Sequence, residues 1–454
     1  MAELSVGGRC EVVIRDLSRD GQGIGRCGEA VVFVPGALPQ ERVQARLLHR
    51  ARRHWLSQLE QILEPSPDRR RPPCILASSC GGCSLQHLDP AAQSRWKGDS
   101  VKQLLERIAG IRHPVAPALA APDALGYRNR AIIPLERGSD GRVRCGYYHR
   151  GSHRIVNLNR CPVLDRRIDA LVEPIKADLA ATDWPIDRDC QHGGGLRHLA
   201  LRVGRRSGEI LITLISSHPQ LPGLERLANQ WLERWDSVVG VTLNLQPRAN
   251  NVLMGPQTRL IAGRATILDT FADQQLAIAS DTFFQVFSEQ AERVVPLLLQ
   301  ALAAHGQPGF AIDAYCGIGT YSLPLAAAGW QLLGLELNPQ AVALAQRNAE
   351  TNGLARRCLF QACDVADALA QHLARADLLF IDPPRRGLDQ RVVTTILDAP
   401  PSLLVYLSCD PASLARDLKS LVGSGPMDVV LVQPLDFFPH TTHVETLVVL
   451  QRRR

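Results

Sequence analysis

Residues 403–417 read Leu-Leu-Val-Tyr-Leu-Ser-Cys-Asp-Pro-Ala-Ser-Leu-Ala-Arg-Asp. An apolar run (Leu403–Leu407) breaks at Ser408-Cys409-Asp410-Pro411 into a helical pattern. Asp410 suits an N-cap and Pro411 the first helical position. Cys409 then sits on a strand-to-helix turn, where unpaired N–H groups favour the thiolate. A lone cysteine is more often a small buried hydrophobe, so the assignment needs its neighbours. Working outward, apolar runs recur at Phe310–Ala314, Gln331–Leu335, Leu378–Ile381, Val429–Val432 and Thr446–Leu450, most separated by helical patterns. That alternation from about residue 281 onward predicts an α/β fold, a doubly wound Rossmann-like sheet.

The turns after these runs carry chemistry. Asp313-Ala314-Tyr315-Cys316-Gly317-Ile318-Gly319-Thr320 follows one strand and opens a helix, and its glycines let a ligand approach the backbone. Glu336 ends the next strand, where an acid can bind two ribose hydroxyls. Tyr321-Ser322 replaces the third glycine of a dinucleotide motif. A nucleoside cofactor without pyrophosphate, S-adenosylmethionine, fits better. Asp364 follows the third strand, and Asp382-Pro383-Pro384 ends the fourth, two prolines stiffening the loop. RNA cytosine-5 enzymes carry a cysteine in that loop; here the cysteine is one strand later. Glu445 opens the last strand, with His440 and His443 nearby.

The 454 residues, 45% hydrophobic and 21% charged with net charge +6, describe a globular, moderately basic protein of several domains. A basic balance permits a polyanionic partner. No apolar run suffices to span a bilayer, so a cytoplasmic location with no membrane partner is expected. Its 12 cysteines should then be thiols, metal ligands or catalytic groups. Residues 1–65 alternate short β-type runs with Gly- and Pro-rich turns, which suggests a five-stranded OB-type barrel. A basic run, Arg46 to His54, with Trp55 beside it, offers phosphate contact and stacking, or else a solvated face. Cys74-x5-Cys80-Gly-Gly-Cys83 suggests soft-metal ligation, zinc or iron–sulfur, with Cys161 the best fourth ligand. Residues 89–110 form an amphipathic helix that suits core packing, on the catalytic domain. In Gly126-Tyr127-Arg128-Asn129-Arg130, Arg128 and Arg130 are candidates for RNA backbone contact, against ion pairs. Three units result: 1–65, a central 66–280, and 281–454.

DGQGIG and VPGALPQE (residues 20–25 and 34–41) resemble a TRAM domain, an RNA-binding module. FFQV, DAYCGIGT, LELN, DPPRRG, LSCDPASLARD and FPHTTHVETLVVL resemble the RNA uracil-5-methyltransferase family. The CxxxxxCGGC set and the TRAM-like start resemble its 23S ribosomal RNA branch, which carries a [4Fe–4S] cluster; transfer RNA members are expected to lack both. The resemblance implies S-adenosylmethionine contacts from Gln285, Tyr315, Glu336, Asp364 and Asp382, and a cofactor position at Thr320, where Asn is often found. It implies Cys409 as nucleophile, adding to carbon 6 of uracil, and Glu445 as the base that removes the carbon 5 proton. Cys74, Cys80, Cys83 and Cys161 become cluster ligands in a central α+β domain. The implied partner is 23S ribosomal RNA, with the protein a monomer. Rival readings are the same chemistry on another ribosomal site or on transfer RNA, and a non-catalytic ribosome-assembly factor. Asp410 stands where the family usually has Asn, and a neighbouring carboxylate opposes thiolate formation. Phe287 stands where Asn is common.

Overall fold

The computed structural model describes residues 4–138, 140–304, 306–423 and 425–453. β1 (Arg9–Leu17), β2 (Gln22–Cys27), β3 (Ala30–Pro35), β4 (Arg42–Arg50) and β5 (Trp55–Glu64) close a barrel in the order β1-β2-β3-β5-β4. Period-two patterning drives it: Val12, Ile14, Val32, Val34 and Val43 point inward and fill the lumen. At Gly25 any Cβ would fall 2.4 Å from Val12 and Val13, so β1 and β2 cross there only because the residue is glycine.

The barrel is fastened to the rest of the chain. Its Leu17 and Leu38 share a core with Leu85, Leu88 and Ala92, with Trp96 against it. Trp96 Nε1 donates to Asp16 at 3.0 Å. Glu41, fully buried, accepts from Arg69 Nε at 2.5 Å and from the Leu38 N–H at 2.8 Å. Trp96 lies on the helix Pro90–Leu104, which starts at an Asp89 N-cap. The same helix sends Val101 into the core of the C-terminal sheet, and Leu105 follows just beyond its end. Lys97, on this helix, is fully buried and donates to Asp436 Oδ1 at 2.6 Å and to the Phe438 carbonyl at 3.0 Å. A buried charge is tolerated only when paired and hydrogen-bonded. This pair therefore ties the helix to the loop before the last strand.

A central sheet holds β6 (Arg130–Arg137), β7 (Val143–Cys145), β8 (Leu196–Val203), β9 (Ile210–Ser216), β10 (Val238–Leu245) and β11 (Gln257–Gly263), ordered β11-β10-β9-β8-β6-β7. A hairpin follows, β12 (Thr266–Phe271) and β13 (Gln274–Ala279). Ile267, Phe271, Leu276 and Ile278 of this hairpin pack into the core of the C-terminal sheet. Asn348, on a helix of the C-terminal unit, accepts from the Ala277 N–H at 2.8 Å.

The C-terminal sheet comprises β14 (Phe310–Ala314), β15 (Gln331–Glu336), β16 (Cys358–Ala362), β17 (Leu378–Ile381), β18 (Leu403–Ser408), β19 (Met427–Leu435) and β20 (Glu445–Arg452). Its order is β16-β15-β14-β17-β18-β20-β19, and only β20 runs against the other strands. All six residues of β18 are buried, as a strand covered on both faces requires. β16 is not among the apolar runs of the sequence. It is an edge strand with only Phe360 buried, so it lacks a continuous run. The strand order reverses between β14 and β17, and ligands of such sheets bind at the carboxyl ends beside that point.

Candidate active site

Register brings the catalytic candidates to that edge. Ala314 pairs with Leu335 and Ile381, so Tyr315, Glu336 and Asp382 leave their strands side by side. Ser408 pairs with Thr446 in the antiparallel β18–β20 ladder, so Cys409 faces Glu445 one step on.

Glu336 is fixed by two backbone donors: the Gly317 N–H at 3.1 Å and the Asn338 N–H at 2.8 Å. Tyr315 holds φ +68°, rare for an aromatic residue, and Gly317 and Gly319 are also left-handed (φ +56° and +86°). These angles fold the turn back beneath Glu336. Gln285 Nε2 lies 3.5 Å from Asp382 Oδ2. Thr320 is nearly buried, whereas Asp364 is exposed and caps the helix Val365–Ala368. Phe287 is buried and stacks on Tyr127 at 4.8 Å, and the Tyr127 hydroxyl donates to the Pro439 carbonyl at 3.2 Å. Phe287 thus links the central unit to the loop before β20.

The electrostatics are unusual. Asp313, 1% exposed, takes one hydrogen bond from Ser322 Oγ at 2.5 Å, and its other oxygen has none. Burial and then Glu336 push its pKa up to about 7. Burial and then Asp313 push Asp382 up to about 8. Glu445, 2% exposed, has an unpartnered Oε1, and burial and then Asp382 drive its pKa well up. The buried Tyr321 hydroxyl near these three acids also has no partner. Among the described residues none of the three carboxyls forms an ion pair. A buried cluster of acids with no ion pair, and Arg385 alone near Glu445, favours a bound cation. Asp313 and Tyr321 were not candidates from sequence; each sits in the glycine-motif segment, where spacing is legible and charge balance is not.

Cys409 is half-buried. The helix-turn argument predicts a thiolate, but burial, then Glu445 and Asp382, push the thiol up to about 12. Arg385 and the turn's own backbone pull the other way and lose. The resting thiol is therefore protonated, because burial, aided by two neighbouring carboxyls, outweighs Arg385 and the turn's backbone. Asp410, expected to oppose the thiolate, instead caps the helix Pro411–Leu418 through Oδ1, accepting from Ala412 and Ser413 N–H at 3.1 and 2.9 Å. It is not among the largest causes of the Cys409 rise. Arg385, beside both Cys409 and Glu445, is a further site residue that the loop motif alone does not single out.

The four candidate ligand cysteines also converge. Cys74, Cys80, Cys83 and Cys161 line one small cavity with Tyr147, Val163 and Arg128. Burial raises Cys80 and Cys83, and takes Cys161 to about 12. Arg150 braces the loop, donating to the Ala77 and Cys83 carbonyls at 2.9 and 2.8 Å. Among the described residues no three His, Cys, Asp or Glu side chains lie close enough to hold a single ion. Arg128 and Arg130, the two expected on RNA, are mostly committed inward. Arg128 borders the cysteine cavity with its Nε buried and unpartnered, and Arg130 donates to the Ser280 carbonyl at 2.9 Å. Both side chains keep partial exposure.

Comparison with known proteins agrees with this geometry. Residues 96–453 match the tRNA (uracil-5-)-methyltransferase family and residues 3–54 the TRAM domain. An uncharacterized RNA methyltransferase of Parasynechococcus marenigrum is 54% identical over 98% of this chain and 96% of its own length. One from Nostoc is 45% identical over 97% and 95%. Among solved structures, the Pyrococcus abyssi tRNA (uracil-54, C5)-methyltransferase in complex with S-adenosyl-L-homocysteine superposes with a TM-score of 0.75 at 25% identity. The match covers 97% of this chain and 99% of that one. A protein named for transfer RNA thus has a counterpart to nearly all of this chain, so the barrel does not by itself separate ribosomal from transfer RNA enzymes. No helix of the described residues is long and apolar enough to cross a membrane.

Proposed function

The chain belongs to the tRNA (uracil-5-)-methyltransferase family, and from that premise we propose that it methylates carbon 5 of a uridine in 23S ribosomal RNA, using S-adenosylmethionine. The observation that carries the reading is the register that sets Cys409 opposite Glu445 beside buried acids with unpartnered oxygens. S-adenosylmethionine, when bound, supplies an electrophilic methyl group on a cationic sulfur, the charge this cluster lacks. Asp382, Gln285, Tyr315, Thr320, Glu336 and Asp364 are the residues that hold it, Glu336 through the ribose.

Carbon 5 of uracil is a weak nucleophile. Cys409, its proton released to solvent, adds as thiolate to carbon 6, which makes carbon 5 enolate-like and able to take the methyl group. Glu445 then removes the carbon 5 proton, and Cys409 leaves by elimination. The raised pKa of Glu445 suits a group that must hold that proton. A stacked base hides both faces, so the target uridine must be extruded from single-stranded or refoldable RNA. The barrel's basic run supports RNA docking.

The ribosomal substrate rests on the cysteine motif, and the second reading, transfer RNA, on the whole-chain match to the Pyrococcus enzyme. Ribosomal and transfer RNA from a deletion strain, incubated with the protein and methyl-labelled cofactor, separate them. We expect 5-methyluridine in 23S RNA. Its appearance only in transfer RNA selects the second reading, and its absence from both defeats uracil methylation.

Cys74, Cys80, Cys83 and Cys161 are the residues that would hold an iron–sulfur cluster. Four sulfurs around one cavity and a buried Arg128 Nε in want of an acceptor are the features that fit a sulfide-bearing anion. Such a group would clamp residues 74–83 to Cys161. Anaerobic purification should yield iron and acid-labile sulfide in equal amounts, both lost in Cys83→Ser. Zinc in their place overturns the assignment.

A further inference from the structure

The β1–β2 turn of the barrel reaches the catalytic edge of the C-terminal sheet. Arg19, in that turn, forms an ion pair with Asp410 Oδ2 across 391 residues of sequence. Asp410 directly follows Cys409, and its other oxygen caps the helix Pro411–Leu418. The turn is held in place from both sides. Leu17, just before it, is buried against Leu85 and Leu88. Gly21, just after it, has φ +78° and lies so close to Ser84 and Thr442 that a Cβ would sit 3.1–3.2 Å from each. Arg19 is thus aimed by packing, although its side chain is 77% exposed while that of Asp410 is 11% exposed.

The pairing answers a physical problem. A carboxylate next to the nucleophile disfavours the thiolate on which the reaction depends. Asp410 faces Arg19 from the barrel, the helix N-terminus it caps, and His443 from the loop before β20. Cys409 faces Glu445 on β20, and Asp382 and Arg385 on the loop after β17. Lys97, the remaining nearby cation, is already spent on Asp436. Arg19 is the only side-chain cation bonded to Asp410 among the described residues.

We propose that Arg19 is a positioning residue of the methyl-transfer site, neutralising and orienting Asp410 so that the barrel completes the nucleophile's surroundings rather than serving only to hold RNA. This rests on the reading of Cys409 as nucleophile. Loss of Arg19 unmasks the Asp410 charge beside the thiol. Because Arg19 is largely solvated, water screens part of the effect. A change of about 3- to 10-fold in thiolate-dependent rate follows, half to one pKa unit.

The test uses the full chain without RNA or cofactor. Alkylation of Cys409 by iodoacetamide is followed by peptide mass spectrometry, from neutral to alkaline pH, in the parent, Arg19→Gln, Asp410→Asn and the double variant. Asn caps a helix as well as Asp, so Asp410→Asn removes charge and keeps the turn. Expected are slower alkylation in Arg19→Gln with its pH profile displaced upward, parental or faster alkylation in Asp410→Asn, and no further effect of Arg19→Gln when it is added to Asp410→Asn. Arg19→Lys should restore most of the loss. In methylation assays the single Arg19 variant should lower kcat with little change in KM for RNA. Equal slowing with and without Asp410, an unchanged alkylation rate, or a loss confined to KM each overturns the proposal; the last would make Arg19 an RNA contact. Failure of the nucleophile reading looks different: methylation would survive loss of Cys409 while the alkylation pattern stood.

Discussion

Cys409→Ala should lose methyl transfer by about four orders of magnitude or more, the scale on which removal of a covalent nucleophile acts. Radiolabelled methyl incorporation into RNA is the readout, and cofactor binding, measured by calorimetry, should hold within a few-fold because alanine takes no acid from the cation site. The substitution removes a half-buried sulfur at a helix cap that Asp410 maintains unaided, so the melting temperature should barely move. A chain that methylates uridine at the parental rate without Cys409 would refute the mechanism outright. The resting thiol sharpens the expectation. With its pKa pushed up to about 12, the thiolate is a minor form at neutral pH and grows with rising pH. The causes of that rise are burial and the Glu445 and Asp382 carboxyls. A cation seated beside Asp382 cancels one of them. Alkylation of Cys409 in the parent should therefore accelerate with rising pH, and accelerate again on addition of S-adenosylmethionine at fixed pH.

How far the sequence foretells this site depends on what kind of force acts. The strands β14, β15, β17, β18 and β20 are legible because each is buried on both faces and must be a continuous apolar run. The edge strand β16 is not, since Phe360 alone turns inward. Catalytic positions are legible for the same reason: they terminate readable strands, and register does the rest. Charge balance is different. The helix-turn argument for a Cys409 thiolate uses one neighbour, whereas the pKa is raised first by burial, then by Glu445, 36 positions further along the chain, and by Asp382. The Asp410 carboxyl reads as an N-cap and as a liability to the thiolate; the cap is there, and what local spacing does not tell is its pairing with a residue 391 positions away. Arg128 and Arg130 read as surface cations in a basic-aromatic cluster, yet Tyr127 beside them is 1% exposed and draws the segment inward. Local spacing thus reports geometry well, and reports the sum of distant charges hardly at all.

Glu445→Gln should trap the reaction after methyl transfer. Glutamine matches glutamate in shape but takes no proton, so addition of Cys409 sulfur and capture of the methyl group can proceed while removal of the carbon 5 proton cannot. With that proton in place the carbon–sulfur bond has no route to eliminate, and protein and RNA remain joined. The expected result is a protein–RNA species stable to denaturing electrophoresis, its mass equal to chain plus RNA plus one methyl group less the thiol proton, with turnover reduced about 10²–10⁴-fold. The double variant Cys409→Ala, Glu445→Gln should show no such species, which places the bond on the sulfur. The pH dependence carries a sign. Burial and Asp382 raise the Glu445 pKa in the folded chain, so the acid form dominates below that value and the base is lost as pH falls. Parent turnover should decline toward acid pH in a limb that Glu445→Gln lacks, because glutamine has nothing to titrate. A Glu445→Gln chain that turns over at the parental rate, or one that is slow but never crosslinked, would assign proton removal to another group, and the unpartnered Tyr321 hydroxyl beside Glu445 and Asp382 is the one the geometry offers next.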